Sequence, residues 1–377
     1  MAEPTSTLTA RGKATRVSGE FSSLSSPDRI AGTAKLSEQY GGNSNSGWVG
    51  CLPKSWLPYV QLARLSPPVG ICLIYFPHLF GVLHAAILQK TSPLHLLTSS
   101  LSLLGGSIFV SNAIHIWNDL IDAPLDALVE RTRNRPIPRG AVSPSGALVF
   151  TATQTVGALA FLYYLVPPLN GGSEILSTVA TLNYALPGII AWTYYPYAKR
   201  HTNFPQLVLG FSLSWGIVMG SLAVGKVPYY SSLGVPPVTG PFWPDHLDRS
   251  SLALFSASTL WSVIYDTIYA HQDLEDDIKA GIKSLAVYFK GQTKPALSVL
   301  LFGMTSSLVA SGWYGGLGPA YYIIAAGGAT TSLGLMIANV DLKDSASCWW
   351  WFSKGFWLAG GAITAGLLAE YVVQLWN

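Results

Sequence analysis

The feature that most constrains this chain is a series of apolar stretches that begins at Pro68 and recurs almost to the end. Each stretch is about 20 residues long, the length that an α-helix needs to cross the hydrocarbon core of a bilayer. Nine such stretches lie near residues 68–88, 96–117, 146–166, 175–193, 204–224, 251–270, 296–313, 320–339 and 355–373. The pattern predicts an all-α polytopic membrane protein with a nine-helix transmembrane bundle.

The scarcity of charge supports this fold class. Only 11% of the 377 residues are charged and 50% are hydrophobic, whereas about 25% of the residues of an average soluble protein are charged. A net charge of +3 is too small to favour nucleic acid as a partner. Cys51, Cys72 and Cys348 lie far apart, in a spacing that indicates neither a disulfide framework nor a zinc site.

Residues 1–50 differ from the rest of the chain. They are rich in Ser, Thr and Gly and lack apolar periodicity, so they are predicted to form a disordered tail before a single intramembrane domain of residues 51–377. Near Met1 the sequence has no short apolar core of the kind found in signal peptides, so we do not expect a cleavable signal peptide. The tail is basic enough for a transit peptide but also carries several acids, and we expect an endomembrane, ER-like location rather than the mitochondrial inner membrane.

The Lys and Arg residues are distributed unevenly between the two sides of the predicted bundle. The connections after spans 1, 3, 5 and 7 contain only Lys90, Lys226 and Arg249. Those after spans 2, 4, 6 and 8 contain 12 of the 22 basic residues, and the remaining seven precede span 1. This bias follows the positive-inside rule with the N-terminus inside. It also supports the number of spans, because one missed helix would scramble the alternation.

The acidic residues are concentrated in two short segments. One follows span 2 and runs from Asp119 to Glu130, and the other follows span 6 and runs from Asp266 to Asp277; together they hold nine of the 19 acids. Because even-numbered spans end on the same face of the membrane, we expect both clusters to lie on one side. The placement of both clusters on one side is the strongest inference that the residues allow by themselves.

The spacing within the clusters indicates a chemistry. Asn118, Asp122 and Asp126 are four residues apart, as are Asp273 and Asp277, so each set lines one face of a helix. Oxygen ligands of this kind suit Mg²⁺, which shares its coordination with substrate phosphates. Basic residues that follow the clusters and span 4 are candidates for contacting a diphosphate, namely Arg131, Arg135, Lys199 and Arg200. The alternative readings are solvated acidic faces, basic residues that serve topology alone, or an ion-coupled transporter.

Three runs of residues are long and ordered. The first is Asn118-Asp119-x-x-Asp122-x-x-x-Asp126, which continues to Arg131-Thr132-x-Asn134-Arg135-Pro136. The others are Tyr265-Asp266-Thr267-x-Tyr269-Ala270-x-x-Asp273-x-x-Asp276-Asp277 and Tyr195-Pro196-x-x-Lys199-Arg200. Together they resemble the signatures of UbiA-type intramembrane prenyltransferases over about residues 60–373.

The resemblance implies a nine-helix bundle with a central cavity, in which an isoprenoid is transferred from its diphosphate to an acceptor, commonly an aromatic ring, with Mg²⁺ as cofactor. Carried onto this chain, the metal ligands are Asn118, Asp122, Asp273 and Asp277, and the supporting acids are Asp126 and Asp276. The resemblance further assigns the diphosphate to Lys199 and Arg200 and the acceptor to Arg64. Asp266 is the residue expected to polarise a phenol or to accept a proton.

Two segments bear on the acceptor. The run after Arg64, Leu65-Ser66-Pro67-Pro68, lacks the Asp-Lys pair usual in the ubiquinone branch, whereas Tyr75-Phe76-Pro77-His78 is similar to fungal members of meroterpenoid pathways. We therefore expect transfer of a farnesyl group to a ring carbon of a phenolic, orsellinate-type acid in fungal secondary metabolism. The alternatives are a 4-hydroxybenzoate polyprenyltransferase, a membrane terpene cyclase and an ion-coupled transporter. The transporter is disfavoured because the acids lie at span ends beside basic residues rather than in the middle of spans.

Overall fold

The structure, a computed structural model, describes residues 47–165, 174–227, 229–230 and 246–376. Residues 1–46 of the predicted disordered tail lie outside the described residues. Residues 47–50 of the tail belong to a 3₁₀ helix, Gly47–Cys51.

The described chain is almost entirely helical. Its α-helices are α1 Leu57–Leu62, α2 Val69–Gln89, α3 Pro93–Asp126, α4 Pro144–Leu165, α5 Glu174–His201, α6 Pro205–Ala223, α7 Arg249–Ala270, α8 Leu274–Ala280, α9 Leu285–Phe289, α10 Thr293–Gly315, α11 Gly328–Asn339 and α12 Ser345–Trp376. A π-helical segment, Tyr321–Gly327, leads directly into α11. One short antiparallel pair, β1 Tyr229–Tyr230 with β2 His246–Leu247, lies between α6 and α7.

The predicted all-α membrane fold is confirmed. In the ranges that the structure describes, a long helical segment lies at each of the nine predicted positions. Seven of these segments are long and apolar enough to cross a membrane by themselves, and the other two are α5 and α7. Among the described residues, nine long helical segments are therefore present, and seven of them meet a strict test of length and composition for a membrane span.

Helices α2 and α6 form the centre of the bundle. Most of each lies inside the protein, whereas α4 is almost wholly at the periphery. The two inner helices approach so closely that a Cβ atom on Gly81 would collide with the backbone of Ile217, and one on Gly220 with the carbonyl oxygen of His78. Small residues permit this close approach of membrane helices.

An aromatic cluster connects α2, α7 and α12. The ring of Trp261 packs against Phe76, Phe80 and Tyr265, at centroid distances of 5.2–6.0 Å. Tyr265 in turn contacts Phe356 of α12. This cluster fixes the part of α7 that precedes the second acidic segment.

Both acidic segments are extensions of long helices, but they end differently. Helix α3 continues past its predicted span and through Pro124, so Asp126 remains helical. Helix α7 ends at Ala270, and a 3₁₀ turn, His271–Asp273, precedes α8. Asp266 therefore lies on a different helix from Asp277, with a 3₁₀ turn that contains Asp273 between them.

Candidate active site

A polar cavity of about 190 Å³ lies where α3, α5 and α7 end on the same side of the bundle. Residues of both acidic segments line it, which agrees with the alternation of spans. From the first segment these are Asn118, Asp122 and Asp126, and from the second Asp266, Asp273 and Asp277. Most of the predicted basic residues line it too, namely Arg64, Arg131, Arg135 and Lys199.

Two ion pairs link residues that are distant in the chain across this cavity. The Nζ atom of Lys199 donates to Asp122 Oδ2 at 2.6 Å. The guanidinium of Arg131 donates to both oxygens of Asp273, with Nη2 at 2.5 Å from Oδ2 and Nε at 2.8 Å from Oδ1. Each pair joins an expected diphosphate contact to an expected metal ligand, so acids and bases neutralise one another in the protein by itself.

A third group of charges is buried beside the cavity. Arg64 Nη2 donates to Asp119 Oδ1 at 2.5 Å, and Arg135 Nη1 lies 3.2 Å from the same oxygen. Arg135 also bonds Asp126 Oδ2 at 2.8 Å. Asp119 is completely buried, and the sequence analysis gave it no role. The available signal was an acid directly beside Asn118 in a segment followed by several arginines.

The fit to a metal ion can be judged from the donor atoms. Asn118 Oδ1 and Asp122 Oδ1 are buried oxygens without a hydrogen-bond partner among the described residues, and both side chains line the cavity. Within the described ranges, no three His, Cys, Asp or Glu side chains converge as a metal site. Mg²⁺ is usually held by one or two carboxylates together with substrate phosphates, rather than by a cage made of protein alone. The oxygens present therefore fit such an ion.

Two charged groups that line the cavity outside the membrane spans have perturbed pKa values. Burial, followed by the nearby Asp273 carboxylate, raises the pKa of Asp277 to about 7. Burial would lower the pKa of Arg131, but Asp273 outweighs it and holds the pKa well above its usual value. Arg131 is therefore a permanent cation in the cavity, and Asp277 is a carboxylate whose charge is costly without a cation beside it.

Two of the predicted site residues do not line the cavity. Arg200 is exposed, and its Nη2 donates to the carbonyl oxygen of Ile121 at 2.7 Å. The Asp276 carboxylate accepts the backbone N–H of Glu130 at 3.1 Å and lies 3.5 Å from Lys279 Nζ. Direct contact of these two side chains with a substrate in the cavity is thus not supported by their placement, because each points to a partner elsewhere.

Other cavity residues carry chemistry that the sequence analysis did not single out for this site. Lys283 lines the cavity from the chain that follows α8, and its backbone N–H donates to the carbonyl oxygen of Lys199 at 2.9 Å. Tyr269 accepts a hydrogen bond from Arg131 Nη1 at 3.0 Å. Lys199 Nζ lies 5.0 Å from the ring centroid of Tyr195. The contacts with Tyr269 and Tyr195 help to hold the side chains of Arg131 and Lys199 in place.

An apolar chamber of about 410 Å³ adjoins the polar cavity, between α3, α4, α5 and α6. Four residues line both spaces, and we call them the throat: Ile74, Ile114, Trp192 and Leu213. The molecule therefore offers a charged compartment and an apolar one with a common boundary.

Comparison with known proteins identifies relatives of this architecture. A profile of the UbiA prenyltransferase family matches residues 74–360. The mitochondrial 4-hydroxybenzoate polyprenyltransferase of Schizosaccharomyces pombe is 33% identical over 331 residues, which cover 87% of this chain and 84% of that protein. The UbiA prenyltransferase claS of Ampulloclitocybe clavipes is 33% identical over 320 residues, which cover 83% and 91%.

A solved structure is similar as well. A UbiA homolog from Archaeoglobus fulgidus, bound to GPP and Mg²⁺, aligns with a TM-score of 0.53 at 16% identity. The alignment covers 84% of this chain and 99% of that one. At this low identity the likeness establishes the shared helical membrane fold.

Proposed function

The chain belongs to the UbiA prenyltransferase family, an enzyme family of the membrane, and on that premise we propose that it transfers a farnesyl group from farnesyl diphosphate to a ring carbon of a phenolic aromatic acid. We propose Mg²⁺ as the cofactor and a terpenoid pathway of secondary metabolism as the setting. The observation that carries the proposal is the junction of the charged cavity with the apolar chamber. A prenyl diphosphate has the same two parts, a charged head and an apolar chain.

The basic side chains of the cavity are suited to the diphosphate. Lys199, Arg131 and Arg135 line it together, and an arginine can bind two phosphate oxygens at once. The leaving diphosphate gains negative charge as the bond to carbon breaks, so cations already held in place favour that transition state. Arg200, outside the cavity, would contribute through the long-range field only.

The cavity acids are the proposed holders of the metal. Asn118 and Asp122 supply the two unpartnered oxygens, and Asp273 and Asp277 line the same cavity. Bound there, Mg²⁺ supplies positive charge that offsets the growing charge of the leaving group. The Archaeoglobus fulgidus homolog was solved with GPP and Mg²⁺, which supports the same pairing of ligand and ion here.

The carbon chemistry needs an environment without water. The allylic C–O bond breaks with its electron pair leaving on the diphosphate, and the throat and chamber keep water from the resulting carbocation. A ring carbon beside the phenol oxygen then donates an electron pair to form the new C–C bond. The ring proton leaves to restore aromaticity, and we propose Asp266, which lines the cavity, as its acceptor or as the group that polarises the phenol.

Arg64 is the proposed contact for the acid group of the acceptor. It lines the cavity from the segment between α1 and α2, and one of its Nη atoms already donates to Asp119. A guanidinium presents planar pairs of N–H donors that match the two oxygens of a carboxylate, so an aromatic acid is a suitable ligand for this side chain. Asp119 would then hold the guanidinium in a fixed orientation.

The organelle is a separate question. The protein is an integral membrane protein with several spans, and the Schizosaccharomyces pombe relative is named as mitochondrial. We keep an endomembrane, ER-like location as a proposal. A C-terminal fluorescent fusion compared with ER and mitochondrial markers tests it, and co-localisation with mitochondria would contradict it.

A 4-hydroxybenzoate polyprenyltransferase is the second candidate function, because a relative with that name is 33% identical to most of this chain. The two candidates differ in the length of the prenyl chain and in the acceptor. A membrane terpene cyclase, the third candidate, would use the diphosphate without any acceptor. An ion-coupled transporter is set aside, since the family consists of prenyltransferases.

One experiment separates the candidates. Membranes that contain the protein are incubated with farnesyl diphosphate or with a long polyprenyl diphosphate, with and without an orsellinate-type acid or 4-hydroxybenzoate, in Mg²⁺ or in EDTA. The proposal expects a farnesylated orsellinate-type acid by mass spectrometry, formed only with Mg²⁺. Product without an acceptor would indicate a cyclase, and use of long polyprenyl diphosphate with 4-hydroxybenzoate alone would indicate the second candidate.

A further inference from the structure

We propose that the apolar chamber measures the prenyl chain, and that its depth along α3, marked by Gly106 and Ser102, sets the upper limit near a farnesyl group. The inference rests on the proposed function, since it assumes that the diphosphate occupies the polar cavity. To the proposed function it adds the residues that would determine which length of prenyl chain is accepted.

The depth of the chamber follows from the helices that line it. A helix rises about 1.5 Å per residue, so Gly106 lies roughly 12 Å and Ser102 roughly 18 Å from the throat residue Ile114 along α3. On α6, Ala223 lies roughly 15 Å from the throat residue Leu213 by the same measure. All of these residues line the chamber. The distance is comparable with an extended farnesyl group and much shorter than a long polyprenyl chain.

The far end of the chamber is tied together by polar contacts. Ser99 Oγ of α3 donates to the carbonyl oxygen of Ala223 at 3.0 Å, and His95 Nε2 lies 3.4 Å from the same oxygen. Ser99 lies one turn beyond Ser102, and Ala223 is the last residue of α6. Helices α3 and α6 therefore close on each other directly after the deepest lining residues, as far as the described residues define the chamber.

Gly106 is a position where the chamber can be shortened without moving a backbone. A Cβ atom placed on it would meet only the side chain of Phe161, at 3.5 Å, which is an ordinary van der Waals contact. A larger side chain at this position would therefore occupy chamber volume. Ser102 offers the same test about one turn deeper.

The experiment compares Gly106→Phe and Ser102→Phe with the wild-type chain, purified whole in detergent. Ile108→Phe is the matched control, because Ile108 is on the same helix but 39% exposed and outside the chamber lining. Two quantities are measured for geranyl, farnesyl, geranylgeranyl and long polyprenyl chains. They are kcat/KM for the diphosphates and, by filter binding with Mg²⁺, the affinity of their unreactive thiolodiphosphate analogues.

The expected result is graded by depth. Gly106→Phe should lower kcat/KM and affinity for farnesyl by about tenfold or more and leave geranyl near wild type, because one methylene alone is worth about tenfold in a hydrophobic pocket. Ser102→Phe should further lower the affinity for geranylgeranyl, which in the wild type is already weaker than that for farnesyl, and leave farnesyl near wild type. Ile108→Phe should change neither, and the retained use of geranyl shows that the variants fold.

Two results would overturn the inference: Gly106→Phe weakening all chains alike, or the wild type binding a long polyprenyl analogue as tightly as the farnesyl one. Failure of the proposed function looks different. In that case no diphosphate is turned over with a phenolic acid, while the graded order of binding by chain length still holds and supports the chamber as the chain site.

Discussion

Arg64 Nη2 lies 2.5 Å from Asp119 Oδ1, in a buried ion pair that joins the segment before the first long helix to the start of the first acidic segment. Arg135 Nη1 lies 3.2 Å from the same carboxylate oxygen. One buried acid therefore orients two arginines of the cavity. A guanidinium held in this way has already lost much of its rotational freedom, so binding an anion costs it less entropy.

The first prediction concerns recognition of the acceptor. Arg64→Lys should weaken binding of a carboxylated acceptor by about 1–2 kcal/mol, because an ammonium cannot keep Asp119 and bind a second carboxylate in bidentate fashion. This corresponds to a rise in acceptor KM of roughly 5- to 30-fold. The measurement compares the KM of an aromatic acid with that of its decarboxylated phenol, for the wild-type enzyme and for Arg64→Lys.

Arg139→Lys is the control for this change. Arg139 donates to Gln61 Oε1 at 2.6 Å and does not line the cavity, so its replacement should affect the two acceptors equally and slightly. Equal losses on acid and phenol in Arg64→Lys would show that Arg64 does not bind the acceptor carboxylate.

The second prediction separates two neighbouring basic residues. Lys199→Ala should lower kcat/KM for the prenyl diphosphate by about 10²-fold, as the loss of a donor to a developing anion does. Arg200→Ala should stay near wild type, since Arg200 bonds a backbone carbonyl outside the cavity. Steady-state kinetics with varied diphosphate at saturating acceptor decides between them, and a larger loss in Arg200→Ala would restore it as a diphosphate contact.

The third prediction concerns the metal. Asp273→Asn should abolish most transfer, whereas Asp276→Asn should leave most of it, because only Asp273 lines the cavity. EDTA should abolish wild-type activity, and added Mg²⁺ should restore it. Turnover that persists after thorough chelation would contradict the metal, and equal losses in the two variants would contradict the placement of Asp276.

The fourth prediction concerns the packing of the two inner helices. Gly81→Ala should lower the melting temperature of the detergent-purified protein and destabilise it by about 1–3 kcal/mol, the usual cost of overpacking. Its added methyl group would collide with the backbone of Ile217. Gly361→Ala is the control, because open space surrounds that position within α12. Similar melting temperatures for the two variants would contradict the close approach.

Much of the fold was predictable because membrane helices are specified locally. Apolar length locates the spans, and the alternation of charged loops fixes which ends share a face. For this reason the meeting of the segments that contain Asp122 and Asp273 in one cavity followed from counting helices. The break between Asp266 and Asp273 did not follow, since no Pro or Gly in that stretch marks the 3₁₀ turn.

The partners of the charges were less predictable. Which acid meets which base depends on how far each helix extends and how it is rotated, and Lys199 reaches Asp122 only because α5 continues to His201. The role of Asp119 and the absence of Arg200 from the cavity lining have the same origin. The apolar chamber arises from the mutual packing of four helices, so no single stretch of sequence contains a signal for it.

Two ion pairs cross the cavity, Lys199 with Asp122 and Arg131 with Asp273. If the proposed function holds, they affect how the metal ion and the diphosphate bind. A cation that takes a carboxylate releases a base for phosphate, and a phosphate that takes a base releases a carboxylate for the cation. Each ligand therefore makes the binding of the other more favourable, and thermodynamic linkage requires the two effects to be equal. Metal and diphosphate should bind with positive cooperativity, so that neither accumulates on the enzyme alone.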